Sequence, residues 1–135
     1  MYLFNSLLEK PSVLSVASRY TAFNGIFYMV SGALVLAWPG AIQTIFRDPG
    51  FAGHEEALFR LLGMVLMVVG WLAFFGGRSG AKQIVAASVV DRVTLAPLVL
   101  ASLAMAGVFT HVMATFAIVD PTLGIGAWLL LGRKS

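Results

Sequence analysis

Residues 83–131 read QIVAASVVDRVTLAPLVLASLAMAGVFTHVMATFAIVDPTLGIGAWLLL. The run is long enough for two helices that each cross a hydrocarbon core about 30 Å thick, at about 20 residues per crossing. No polar linker divides it. The turn implied by AGVFTH around Gly107 is where a division can fall, and it predicts spans at about 83–104 and 110–131. Asp120-Pro121 competes with that reading, because Asp at an N-cap and Pro at the first helical position together start helices. A rival division has one span at 95–118 and a loop at DPTLG, but it leaves IGAWLLL, too short to cross anything. Two spans are therefore expected here, the last one kinked or locally broken near Asp120.

Working toward the N-terminus, two further spans are expected at about 18–38 and 57–75. The first ends in the breaker Trp38-Pro39-Gly40. The mixed stretch AIQTIFRDPGFAGHEE follows, with Asp48-Pro49-Gly50 as its clearest turn. GGRSGAK joins spans two and three. Before span one, Leu3, Phe4, Leu7 and Leu8 have helical spacing and Pro11 interrupts them, which predicts a short helix lying in the membrane interface. MYLFNSLLEK contains Glu9 and no basic n-region, so it does not read as a signal peptide. The fold class is all-α, one domain formed as an integral membrane four-helix bundle.

Composition agrees. Of 135 residues, 59% are hydrophobic and 11% charged, with a mean hydropathy of +0.91. A soluble domain this small cannot bury so much apolar surface, whereas a bilayer takes up the excess. There is no cysteine, which excludes disulfides, thiolate metal sites and cysteine nucleophiles. The net charge of +3 does not signal nucleic acid, because the basic residues sit at span ends. Lys10, Arg19, Arg78, Lys82, Arg133 and Lys134 fall on one side, while Arg47 and Arg60 fall on the other beside Asp48, Glu55 and Glu56. The positive-inside rule then places both termini in the cytoplasm. Trp38, Trp71 and Trp128 read as interfacial belt residues, and Met29, Met64, Met67, Met105 and Met113 as packing filler. Gly25 and Gly32 in span one, like Gly63 and Gly70 in span two, stand seven residues apart and offer close helix contact.

Three charged residues lie deep in these spans. Asp91 and Arg92 come about nine residues into span three, and Asp120 about ten into span four, each roughly 13–15 Å from an end. An unpaired charge there costs about 2.5–3.5 kcal/mol on the mildest insertion scale. Mutual pairing removes that cost. Neighbours on a helix are about 100° apart and face different ways, so the expected pair is Arg92 with Asp120. Tyr20, Asn24, Tyr28 and Ser31 form a polar stripe on span one, and Arg60 lies about a turn inside span two, able to snorkel or to meet a carboxylate. Ser88 and Thr94 flank Asp91. The candidate cluster is thus Tyr20, Asn24, Tyr28, Arg60, Asp91, Arg92 and Asp120. It serves either to fix helix register or to hold a ligand, ion or proton. His54 and His111 share the outer depth with Glu55 and Glu56; they are metal, haem or pigment ligands if they converge and wetted polar caps if they do not. No phosphate-binding glycine loop, HExxH or nucleophile elbow is present.

The run RLLGMVLMVVGW (60–71), GR at 77–78, VVDRV at 89–93 and VDP at 119–121 together resemble small bacterial four-span membrane proteins of the uncharacterised BphX-like family. The resemblance implies an architecture and a bacterial cytoplasmic membrane; it brings no activity or cofactor. The leading expectation for function is a non-catalytic accessory or assembly subunit of a larger membrane complex, partnered by the bilayer and by other chains or its own copies. The alternative is a small-molecule, lipid or ion-binding or transport protein using the mid-bilayer cluster. An enzyme ranks last, since no nucleophile, metal set or cofactor motif stands out.

Overall fold

A computed structural model describes residues 2–133; Lys134, counted above among the basic residues of the terminal end, lies outside them. The elements are α1 (Tyr2–Leu8), α2 (Val16–Ala37), α3 (Pro39–Ile45), α4 (Glu55–Arg78), α5 (Lys82–Val93), α6 (Leu95–Met105) and α7 (Thr110–Leu131). Among the described residues there is no strand. Four helical stretches are long and apolar enough to cross a membrane: α2, α4, α5 with α6, and α7. Their outward faces carry large apolar side chains such as Phe23, Leu61, Val68, Leu72, Leu98 and Ile118, a surface that only lipid or a partner covers stably.

Start and stop signals act as local chemistry requires. The hydroxyl of Ser15 accepts from the Ser18 N–H at 3.1 Å and opens α2. Pro39, with no N–H to lose, takes the first position of α3. The connection after span one is therefore not all turn: its first half is a two-turn helix. Glu55 and Glu56 lie in the first turn of α4 and Arg78 in its last, each matching the helix dipole. α1 buries none of its residues.

The helix break occurs in span three and not in span four. α5 stops at Val93 and α6 begins at Leu95, with Thr94 between them at φ −114°, ψ −78°. Pro97 is the cause. It offers no N–H to the Val93 carbonyl, and its ring crowds the preceding turn. α7 instead runs unbroken through Pro121, so the local break expected near Asp120 does not occur. There α7 is packed along α2, α5 and α6, and those contacts keep the helix continuous although the Ala117 carbonyl loses its usual donor. Between α6 and α7, Gly107 at φ +82° forms a Schellman turn, with Gly107 N–H to Ala104 and Val108 N–H to Leu103. That turn excludes the rival span at 95–118.

α2 is the central helix. Along one side, Ser18, Gly25 and Gly32 meet Gly77, Gly70 and Gly63 of antiparallel α4, a seven-residue repeat on both partners. A Cβ at Gly25 would stand 2.3 Å from the Phe74 nitrogen, and one at Gly77 2.7 Å from the Ser18 carbonyl oxygen. On its other side α2 meets α5 and α7. Ala17, Val85, Val89 and Ala127 form an apolar cluster at the end bearing the termini. Val35, Phe59 and Val112, with Phe46, Phe51, Phe109 and Phe116, form a second at the distal end. The polar residues lie between the two.

Candidate functional site

Residues two turns apart on a helix share a face, and Thr21 and Tyr28 stand in that relation, with Asn24 one turn from each. All three are buried. The Tyr28 hydroxyl donates to Oδ1 of Asp120. The Arg92 guanidinium lies over the Tyr28 ring, 4.9 Å from its centroid, a cation–π contact that strengthens away from water. Exposure is 3% for Tyr28, 5% for Arg92 and 9% for Asp120, so bundle interior surrounds all three. Gly124, one turn beyond Asp120, permits the approach of α5: a Cβ there would stand 2.9 Å from the Arg92 Cβ. The expected direct ion pair between Arg92 and Asp120 is absent among the described residues. The phenol of Tyr28 stands between them, giving the carboxylate a donor and the cation a π face.

The layer is incompletely satisfied. Thr21 Oγ1, Asn24 Nδ2 and Arg92 Nη1 are buried without a hydrogen-bond partner. Such orphans are costly in an apolar surrounding. Two surface cavities, about 370 Å³ beside Ser15, Lys82 and Arg133 and about 430 Å³ beside Val90, Thr94 and Trp128, include no residue of the layer. The arrangement is that of a polar node between two apolar clusters.

The other candidate residues lie elsewhere. Tyr20 is half-buried, its hydroxyl against Gly126 of α7. Ser31 returns its hydroxyl to the Phe27 carbonyl at 2.8 Å. Arg60 is remote from the layer: at the distal end it donates to the Leu36 carbonyl at 2.6 Å and pairs with Glu56 at 3.0 Å, placing positive charge at the C-terminus of α2. Asp91 is exposed on the outer surface of α5, with no cation at ion-pair distance among the described residues.

His54 is exposed, while His111 lies against Asp48. Among the described residues no three His, Asp or Glu side chains gather as a metal site would require. His111 instead belongs to a helix cap. The N-cap position of α7 is Phe109, which has no oxygen to offer. Asp48, 4% exposed, reaches across from the distal loop. Its Oδ1 accepts from the His111 N–H at 2.8 Å and lies 2.9 Å from Nδ1, while Oδ2 accepts from the Val112 N–H at 3.1 Å. These are the amides a native N-cap would satisfy. Asp48→Ala is expected to cost about 1–2 kcal/mol and to speed amide exchange at His111 and Val112 at least tenfold. Unchanged exchange there would remove Asp48 from this role.

Thr21, Asp48 and Gly124 were not singled out by sequence reasoning. Thr21 was within reach, because it falls two turns before Tyr28. Asp48 was not, because its partners are more than sixty residues away.

Fold and site together define a small helical integral membrane protein, four spans around one central polar layer. Comparison with protein-family models, curated proteins and solved structures gives no significant match in any of the three.

Proposed function

We propose that this chain is a non-catalytic accessory or assembly subunit of a larger membrane complex. The observation that carries the reading is the surface of span three. α6 buries none of its residues, and Asp91 stands exposed about 13 Å along the span from Lys82. Ionisable side chains at that depth almost always face protein or a water-filled cavity, so a surface of this kind calls for another protein. The sided distribution of Lys10, Arg19, Arg78, Lys82 and Arg133 supports cytoplasmic termini. The motifs at 60–71, 89–93 and 119–121 favour kinship with the BphX-like proteins of bacterial membranes.

Purification from the source membrane in a gentle detergent or native nanodiscs, followed by mass spectrometry, tests the proposal. A companion chain at fixed stoichiometry is the expected result; a chain that is alone under every gentle condition sinks it. The orphaned donors of Thr21, Asn24 and Arg92 favour a second reading, a small polar ligand held in the central layer. In that case the lone protein would retain a defined small molecule, and Asn24→Leu would release it.

A further inference from the structure

Resting on the subunit reading, we infer that the Asp91 face of α5 is a docking surface for a transmembrane helix of a different polypeptide carrying an arginine or lysine near its middle. Asp91 follows Ile84 by seven residues, two turns along the same face of α5. At the terminal end that face meets α4: the Ile84 side chain lies where a Cβ on Gly76 would fall, 2.5 Å from its Cγ2. Asp91 is exposed, so this cover has ended by its level. Val90 and Leu95, at 62% and 59% exposure, continue an apolar surface around it. A carboxylate set in an apolar helix surface is the half of a contact that a cation completes.

Charge identifies the occupant. Among the described residues, the middle of the bundle holds one cation, Arg92, against two carboxylates, Asp91 and Asp120. Arg92 is committed to the interior at 5% exposure and lies over Tyr28, so it does not serve Asp91 from the outside. One further cation at this depth would balance the set. A second copy of the chain cannot provide it. Apart from Arg92, every basic residue sits in a terminal segment, a loop or near a span end, as Arg60 and Arg78 do. A symmetric dimer on this face would bring two Asp91 carboxylates together, which like charge disfavours. The requirement is for a foreign helix with a cation at mid-span, where opposite charges pair away from water.

The test uses the purified full chain in phosphatidylcholine vesicles with two labelled leucine–alanine helices of about 21 residues, one with a single central arginine and one without. Energy transfer reports association. The arginine helix is expected to bind the wild-type chain about tenfold more tightly than it binds the Asp91→Asn variant, while the leucine–alanine helix does not distinguish the two. Asp91 is exposed, so the variant keeps the bundle, and an unchanged thermal midpoint verifies this. Equal binding of the arginine helix to both proteins overturns the inference. So does Asp91-dependent energy transfer between two labelled copies of the chain, which would make the face a self-association surface. Neither outcome depends on the source-membrane purification. A companion found there whose retention ignores Asp91→Asn leaves the subunit reading standing without this surface.

Discussion

Gly25→Leu is expected to prevent α2 and α4 from packing and to cost about 3 kcal/mol or more, the upper end of what overpacking does in a close-packed interface. A Cβ at position 25 would meet the Phe74 nitrogen at 2.3 Å and the Gly70 oxygen at 2.6 Å. Both are backbone atoms, so no rotamer change relieves the clash and the helices must separate. Separation also breaks the contacts at Gly32 with Gly63 and at Ser18 with Gly77, because rigid helices move as units. Alanine is the sharper comparison. Gly25→Ala should destabilise by about 1–3 kcal/mol. Gly40→Ala, in α3 with nothing within 4 Å of the added carbon, should be neutral or stabilise by about 0.4–1 kcal/mol. Thermal midpoints in detergent, followed by size-exclusion fluorescence, give both signs. If Gly25→Ala and Gly40→Ala behave alike, the close seam does not exist in the membrane protein.

That seam was partly visible in the sequence. The spacings of Gly25 to Gly32 and of Gly63 to Gly70 announced two smooth helix faces, and hydropathy placed all four spans to within a few residues. Consecutive elements are usually neighbours in space, so pairing the two faces was a short step. Ser18 and Gly77 extend the same repeat and were not picked out, because one is polar and the other stands in a basic loop motif. The helix break shows a different limit. Pro97 and Pro121 both lie inside apolar runs, and nothing local decides which helix breaks. Asp120 before Pro121 looks like a helix start, yet the Tyr28 hydroxyl occupies its carboxylate and packing holds α7 continuous. The node itself was legible as a set of residues that avoid lipid. Its wiring was not, since the choice between a direct Arg92–Asp120 pair and one mediated by a phenol depends on where α2 sits between α5 and α7. Asp91 was grouped with its neighbour Arg92, although consecutive helix positions face different ways; the structure puts one inside and one outside.

If the central layer exists to fix helix register, removing its members singly should be far worse than removing them together. Asp120→Leu leaves the buried Arg92 without a nearby internal anion and the Tyr28 hydroxyl without an acceptor, and should cost about 3–5 kcal/mol. Tyr28→Phe removes one hydrogen bond and should cost about 1–2 kcal/mol. Combining Arg92→Met, Tyr28→Phe and Asp120→Leu removes the charges and the phenol hydroxyl together, leaving no uncompensated charge within the layer. Replacements of that kind in buried ion sets are often neutral or stabilising by about 1–4 kcal/mol. The triple variant should therefore recover most of what Asp120→Leu loses, as measured by unfolding in mixed micelles of increasing denaturing detergent. What happens to complex assembly then separates the two readings of the layer. A structural node predicts that the stable triple variant still joins its companion chain, because the Asp91 face is untouched. A ligand site predicts a well-folded protein that no longer retains its small molecule. Should the triple variant be no more stable than Asp120→Leu alone, the three groups do not form one electrostatic unit, and the phenol does not mediate between Arg92 and Asp120.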